Sequence, residues 1–237
     1  MGKAAVQDYT SEVNIRFVFS LLLAITAASA ADKSVNPGIN KSFLDPKLKI
    51  GAWVERFERE GREVFDHRAK IVAKAEITPG SVVADIGAGT GLFVSLLADA
   101  VGSDGKVIAV DIVPKFLARI RGQAKQTGSK NIDTVLCTGT STRLPANSID
   151  LAFICDTYHH FEFPAKTLAS LHRALRPGGE IYLIDFKRIE GESSDWILKH
   201  VRAGEEVFAA EIEAAGFGRV GNIALLKDNY IVRFRKK

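Results

Sequence analysis

Residues Ser81 to Ala98, SVVADIGAGTGLFVSLLA, encode a strand, a glycine-rich turn and a helix in succession. Val82 to Ala84 are short and apolar, as in a strand buried within a parallel sheet. The alternating glycines Gly87, Gly89 and Gly91 follow, and an apolar run at helical spacing comes next. Glycine tolerates positive φ and lets a ligand approach the backbone, and the amides that open the helix point into the same space. This stretch predicts an α/β fold with a ligand at the turn.

The residues around the turn favour a cationic ligand over a pyrophosphate. The dinucleotide fingerprint G-x-G-x-x-G requires glycine at position 92, where this chain has Leu92. Asp85 stands two residues before the turn, and a carboxylate there repels an anion and attracts a cation. An ordinary Rossmann-like turn whose glycines serve packing alone is the alternative.

Further polar residues follow the ends of later predicted strands. Asp111 ends the apolar run that begins at Lys106, and an acid at this distance from the glycine turn can accept hydrogen bonds from both hydroxyls of a ribose. Dehydrogenases use the same device, so Asp111 favours an adenosine-containing ligand without choosing among them. The segment Asp156-Thr157-Tyr158-His159-His160 follows the predicted strand Leu151 to Cys155. Ligands of open α/β sheets bind beyond these strand ends.

Taken together, these segments resemble the class I S-adenosylmethionine-dependent methyltransferases, and most nearly their small-molecule "type 11" branch. The resemblance spans about residues 53–235 and includes Leu144-Pro145 with Ser148-Ile149-Asp150, and Arg176-Pro177-Gly178-Gly179 before a fifth strand. It implies a Rossmann-like, seven-stranded, mostly parallel sheet with helices on both faces and an antiparallel last strand. It also implies transfer of the methyl group of S-adenosyl-L-methionine to a small-molecule acceptor by in-line displacement.

The resemblance also implies which residues contact the cofactor. They are Asp85, Gly87, Ala88, Gly89, Gly91, Asp111, Ile112, Thr140, Ser141 and Asp156. Thr140 stands where the family often has an acid that meets the adenine amino group; a hydroxyl can still accept from an amine. Two other classes stay open: a non-catalytic nucleotide-binding protein of the same fold, and an NAD-dependent oxidoreductase, which Leu92 and Asp85 disfavour.

Histidines are the candidate general bases, because a neutral imidazole is available near pH 7 to take a proton. His159 and His160 are the first candidates and His200 the next. Adjacent histidines point in different directions, so at most one of the pair is expected to face a substrate; a helix cap or a backbone hydrogen bond is the alternative role. The sequence predicts no metal site, because Cys137 and Cys155 lack the spacing of zinc ligands and are typical of buried thiols.

Composition bounds the domain organisation and the partners. The chain has 237 residues, of which 46% are hydrophobic and 25% charged, which suits one domain plus an extension. Its net charge of +4 is dispersed, and no basic and aromatic stripe predicts nucleic-acid binding. Nothing in the sequence indicates an oligomeric state. We expect a methyltransferase domain over residues 53–237, whose first part, residues 53–76, forms amphipathic helices that break near Gly61 and cover the cofactor.

The N-terminal residues have the parts of a secretory signal. An apolar run, Phe17 to Ala27, follows Arg16 and precedes Ala28-Ser29-Ala30, a small-residue cleavage pattern. The run is short for a membrane span, so we expect a signal peptide over residues 1–30 and no stable span in the mature chain. The protein would then be periplasmic or secreted. If the signal is not used, the protein would be cytoplasmic, and the apolar run would be a stray extension or a weak anchor. Residues 31–52 are predicted to be a linker.

Overall fold

The structure, a computed structural model, describes residues 33–237, so the candidate signal peptide lies outside the described residues. Residues 35–237 form one compact unit. Its strands are β1 (Val82–Ile86), β2 (Lys106–Asp111), β3 (Ile132–Leu136), β4 (Ile149–Cys155), β5 (Leu175–Phe186), β6 (Phe217–Asn222) and β7 (Asn229–Lys236). Its α-helices are α1 (Ile50–Phe57), α2 (Glu63–Asp66), α3 (Arg68–Lys74), α4 (Val94–Val101), α5 (Pro114–Thr127), α6 (Pro164–Ala174), α7 (Asp195–His200) and α8 (Glu205–Ala214).

The seven strands form one sheet in the order β3-β2-β1-β4-β5-β7-β6. Strands β1 to β5 pair in parallel, and β7 lies antiparallel to both β5 and β6. The predicted fold class, including its antiparallel last strand, is confirmed. Among residues 33–237, no helix is long and apolar enough to cross a membrane.

Strand β1 lies at the centre of the sheet and fixes the position of the site. Ala84 is in register with Ile108 of β2 and with Ala152 of β4. The direction of strand succession reverses between β1 and β4, which is where open α/β sheets bind ligands. Apolar clusters cover both faces of the sheet, one against α6 and α8 and one against α3 and α4. The loops that follow β1, β2 and β4 therefore meet at one edge of a rigid, buried support.

The predicted linker is in part a packed segment. Phe43 and Leu48 belong to a small apolar cluster with Val113 and Phe116, and α1 begins at Ile50, within the range predicted as linker. The apolar residues of this segment had no periodicity in sequence because they pack one by one onto the start of α5. The segment is thereby part of the domain.

The covering helices follow the predicted pattern with one additional break. The chain leaves α1 after Phe57 and re-enters a helix at Glu63, and Gly61 between them has a φ of 82°. A second interruption at His67 separates α2 from α3. The break near Gly61 is thus confirmed.

Two strand boundaries differ from the prediction. Strand β5 begins at Leu175 and runs through the Pro-Gly-Gly segment that was expected to precede it. A register shift against β4 between Ile149 and Leu151 accommodates this segment. The sequence predicts a C-terminal hairpin whose first strand begins at Val220; the hairpin is present, but β6 begins at Phe217.

Candidate active site

The glycine turn after β1 adopts the backbone conformation that its sequence requires. Gly87, Gly89 and Gly91 have φ values of 73°, 53° and 90°. A Cβ atom on Gly87 would lie 2.2 Å from Thr157 Cγ2, and one on Gly91 would lie 2.9 Å from Ile120 Cγ1. Gly87 therefore allows the close approach of the β4 loop. Gly91, expected to contact the cofactor, instead allows α5 to pack closely and is not part of the cavity wall described below.

Asp111 connects the second strand to the glycine turn. Its Oδ2 accepts a hydrogen bond from the Gly89 amide at 2.8 Å, and its Oδ1 accepts from the Val113 amide at 2.7 Å. Burial raises the pKa of the Asp111 carboxyl to about 6, partly offset by these amide donors. A carboxylate offers about four lone-pair sites, so Asp111 retains acceptor capacity for ligand hydroxyls.

Asp85 carries an unsatisfied buried oxygen. The residue is 3% exposed, and its Oδ2 has no hydrogen-bond partner among the described residues. Burial, and secondarily the nearby Asp111, raises the pKa of Asp85 to about 7. A buried carboxyl oxygen without a donor is costly, and a cation or N–H donor of a ligand would satisfy it. This residue therefore fits the amino group and sulfonium of S-adenosylmethionine.

Asp156 holds neighbouring elements together at the end of β4. Its Oδ2 accepts from Arg62 Nη2 at 2.6 Å and its Oδ1 accepts from Asn229 Nδ2 at 2.6 Å. Burial raises the pKa of Asp156, although the Arg62 guanidinium opposes this shift. The predicted cofactor contact thus also joins the covering segment between α1 and α2 to the start of β7. No pattern in the sequence indicated Asn229.

The turn after β3 differs from the prediction at one of two residues. Ser141 lies in the cavity wall, as do Ala88 and Ile112. Thr140 lies outside that wall, and its hydroxyl is 3.4 Å from the hydroxyl of Thr138. The Thr140 side chain lies against that of Thr138, outside the wall that holds the predicted cofactor contacts Ala88, Ile112 and Ser141.

Cys137 and Cys155 are free thiols, as predicted, but both are half-buried and not fully buried, and both line the cavity. Burial raises the pKa of Cys137 to about 12 and raises that of Cys155 well above its usual value. Thiolate is the reactive form of cysteine, so these two thiols are unreactive near neutral pH.

The candidate bases meet at the far end of the same cavity. His159 and His160 form a short 3₁₀ turn after β4, and His200 ends α7. The ring centroids of His159 and His160 are 4.3 Å apart, and that of His200 lies 5.1 Å from each. His159, His160 and His200 all border the cavity, and the expectation that at most one of the adjacent pair faces a substrate stays a prediction. The 3₁₀ turn brings both rings of the pair to one side.

The three imidazoles have different partners. His159 is buried, and its Nδ1 is 2.7 Å from Asp185 Oδ1. His160 Nε2 is 3.3 Å from His200 Nε2, and His160 Nδ1 is buried without a partner among the described residues. Burial, reinforced by the neighbouring imidazoles, lowers the pKa of His160 to about 2 and that of His200 to about 4. Both rings are neutral near pH 7, with a lone pair available.

One cavity of about 590 Å³ joins the glycine turn to the histidines. Its volume lies within the range of small-molecule sites. Aromatic rings form much of the cavity wall: Phe43, Trp53, Phe57, Phe116, Phe186 and Trp196. The sequence predicts no metal site, but among residues 33–237 the three histidines form a group with the spacing of metal ligands.

Comparisons with known proteins agree with this geometry. Residues 84–183 match the type 11 family model described as a methyltransferase domain. The chain is 30% identical over 126 residues to the ubiquinone/menaquinone biosynthesis C-methyltransferase UbiE of Stenotrophomonas maltophilia, covering 53% of this chain and 49% of that protein. The chain thus spans about half the length of the curated relatives it matches.

Solved structures share the fold. A SAM-dependent methyltransferase from Aquifex aeolicus superposes with a TM-score of 0.71 at 24% identity, covering 81% of this chain and 100% of that chain. Phosphoethanolamine N-methyltransferase 2 of Haemonchus contortus, solved with S-adenosyl-L-methionine, has a TM-score of 0.56 at 17% identity, covering 73% of this chain and 45% of that one.

The strand order, the glycine turn and the acids at the strand ends define a class I S-adenosylmethionine-dependent methyltransferase fold. Residues 84–183 are therefore similar to the type 11 methyltransferase domain, and S-adenosyl-L-methionine is the cofactor that this similarity indicates.

Proposed function

We propose that this protein transfers the methyl group of S-adenosyl-L-methionine to a small-molecule acceptor by in-line displacement. The observation that carries the proposal is the single cavity, which has the cofactor-type acids at one end and three imidazoles at the other. Holding two reactants in line can supply about 7–11 kcal/mol of barrier reduction. Orientation is therefore the main task of the protein.

The acids bind and orient the cofactor, which supplies an electrophilic methyl group when bound. Asp111 offers its remaining lone pairs to the ribose hydroxyls, and Gly89 leaves space above the turn, with Phe57 Cε2 as the nearest atom to a built Cβ at 3.7 Å. Asp85 offers its unsatisfied oxygen to a positively charged part of the ligand. Ala88, Ile112, Ser141 and Asp156 complete the predicted contacts.

The histidines bind and activate the acceptor. Asp185 accepts from His159 Nδ1, which leaves Nε2 of His159 with the lone pair that takes a proton from an acceptor hydroxyl or thiol. The buried carboxylate also stabilises the imidazolium that this transfer forms. His160 and His200 border the same space. An acceptor whose nucleophilic atom is already ionised needs no base.

The aromatic wall favours an acceptor with an apolar or planar body. Phe186 and Trp196 pack at right angles, with ring centroids 5.5 Å apart, beside the histidines. The curated relatives are named as C-methyltransferases of quinone biosynthesis, and a ring-shaped acceptor would suit such a wall. Aromatic faces recognise planar ligands by stacking.

Calorimetry and a transfer assay test the proposal together. We expect S-adenosylmethionine to bind with one site per chain and NAD to show no binding. Methyl-labelled cofactor, incubated with fractionated small molecules of the host, should label at least one acceptor. Binding without transfer to any fraction would favour the non-catalytic alternative, and binding of NAD alone would favour an oxidoreductase.

We also propose that the protein is exported. The support is the sequence pattern of residues 16–30, namely a basic flank, a short apolar run and a small-residue cleavage pattern. The mature protein would begin near Ala31 and act in the periplasm or outside the cell.

A further inference from the structure

The three-histidine cluster, made of His159, His160 and His200, has a geometry that a pair of general bases does not require. One ring nitrogen of each residue lies within 4.8 Å of those of the others. The Nε2 atoms of His160 and His200 are 3.3 Å apart. For tetrahedral zinc with bonds of about 2.0–2.1 Å, two ligand nitrogens lie about 3.3–3.4 Å apart. This pair therefore has the separation of two ligands on one ion.

Contacts with residues outside the cluster also hold the three histidines in place, as is common for metal-ligating histidines. Asp185 accepts from Nδ1 of His159, the carboxylate–histidine arrangement that fixes the tautomer of a ligating imidazole. Trp196 stacks on His200 with centroids 4.6 Å apart and an interplanar angle of 21°. The side chain of Asn40 donates to the carbonyl of His160 at 3.0 Å. Each of the three residues thus has a support outside the cluster.

The cluster offers three ligands and leaves one direction open. All three histidines line the cavity that the acceptor would enter, and the nearest carboxylate, Asp185, already accepts from both His159 Nδ1 and the His159 amide. Three protein ligands with an open fourth position are typical of catalytic zinc sites, whereas structural zinc sites are closed.

We propose that the three-histidine cluster binds one divalent transition-metal ion of the Zn²⁺ type, with its open position facing the cavity. Imidazole nitrogen suits this class of ion, whereas Mg²⁺ and Ca²⁺ prefer oxygen ligands. The binding of the ion by the three histidines does not depend on the family to which the chain is similar.

A role for the ion rests on the proposed function. An acceptor hydroxyl or thiol on the open position would lose its proton near neutral pH, because zinc lowers the pKa of groups bound to it. The proton would pass to water, the acceptor lone pair would form the bond to the methyl carbon, and the carbon–sulfur electron pair would stay on the departing sulfur. In the metal-loaded protein, His159 Nε2 is a ligand and no longer the base.

Metal titration of the chelator-stripped full-length protein tests the site directly. Zn²⁺ is added against a chromophoric competitor, and Co²⁺ is added separately to record its visible absorption bands. We expect one tight equivalent of Zn²⁺ and the intense bands of four-coordinate Co²⁺. His160→Ala and His200→Ala should each weaken Zn²⁺ binding by roughly 100-fold or more, and Asp185→Asn by roughly 10–100-fold.

A matched control uses the two histidines outside the cavity. His67→Ala and His172→Ala should leave Zn²⁺ affinity unchanged. Equal Zn²⁺ affinity in His200→Ala and His172→Ala would overturn the inference, as would the absence of one tightly bound Zn²⁺ in the wild type. His200 ends a helix at a half-buried position, so the His200→Ala variant is expected to fold. Calorimetry with S-adenosylmethionine on the stripped protein separates the two proposals, because cofactor binding without Zn²⁺ binding leaves the proposed function standing.

Discussion

Replacing Asp85 by asparagine should stabilise the ligand-free protein at neutral pH and weaken its cofactor binding. Asp85 is buried with an unpartnered oxygen, and its pKa is raised from 3.8 to about 7. Because the folded pKa lies above the unfolded one, the folded state keeps a proton that the unfolded state releases. Stability therefore falls as the pH rises from about 4 through 7.

The size of this effect follows from the two pKa values. Each unit corresponds to about 1.4 kcal/mol, so the difference between 3.8 and about 7 corresponds to a loss on the order of 4 kcal/mol above pH 7. Asparagine has nearly the same shape and does not titrate, so the cost of placing its amide there is the same at every pH. The difference in unfolding free energy between variant and wild type should grow with pH through this window.

Cofactor binding should move in the opposite direction. A cationic ligand beside Asp85 favours the carboxylate, so binding near pH 6.5 should release a fraction of a proton in the wild type. Asp85→Asn should abolish that release and weaken affinity by roughly 10-fold or more, as expected when a charged hydrogen-bond partner is lost. Opposite changes in stability and binding distinguish a ligand-binding acid from a structural one.

Two measurements check this prediction. Urea unfolding followed by the fluorescence of Trp53 and Trp196 from pH 5 to 8 gives the stability difference. Calorimetry in buffers of different ionisation enthalpy gives the proton release. Asp99→Asn, on the exposed side of α4, is the matched control and should change neither quantity. A stability difference independent of pH, or unchanged proton release in the variant, would refute the reasoning.

Three further predictions follow from the site and the N-terminus. Asp111→Asn should weaken S-adenosylmethionine binding by about 1.5–3 kcal/mol in calorimetry, since the ribose loses a charged partner, whereas Asp133→Asn on the exposed part of β3 should have no effect. Gly89→Val should abolish binding while circular dichroism still reports a folded protein, because valine resists a φ of 53° and fills the space above the turn; normal binding would make this glycine purely structural. Sequencing of the protein from its native host should find a mature chain starting near Ala31, and an intact Met1 would argue against cleavage.

Local sequence patterns were enough to predict the glycine turn and the acid-bearing strand ends that form one half of the cavity. The strand, the glycine turn and Asp111 are encoded by residues that are close in sequence and whose backbone geometry is set locally. Parallel pairing of β1 with β2 then places Asp111 beside Gly89, at 2.8 Å from its amide. Which residues of a tight turn border a cavity is less predictable: Thr140 and Gly91, both predicted to contact the cofactor, lie outside the cavity wall.

The acceptor half depends on contacts between distant segments. His160 and His200 are 40 residues apart in sequence, and they meet because α7 folds back over the 3₁₀ turn. No spacing pattern in the sequence indicates that α7 folds back to this position. Arg62 and Asn229 reach Asp156 from elements 94 and 73 residues away, which a reading of local motifs could not place.

The two halves of the cavity have opposite electrostatic needs, and this difference explains why they lie apart. Asp85 and Asp111 are buried acids whose pKa values are raised mainly by their burial. At the other end, burial and the neighbouring imidazoles lower the pKa values of His160 and His200, which keeps these two rings neutral near pH 7. A cationic ligand beside the acids would offset the cost of burying them, and a metal ion would coordinate the free lone pairs of the imidazoles. A cationic ligand at the acids and a metal ion at the imidazoles would repel each other across the cavity. An acceptor that carries a negative charge between these two cations would reduce this repulsion. We therefore expect a negatively charged acceptor to bind best when both ends are occupied.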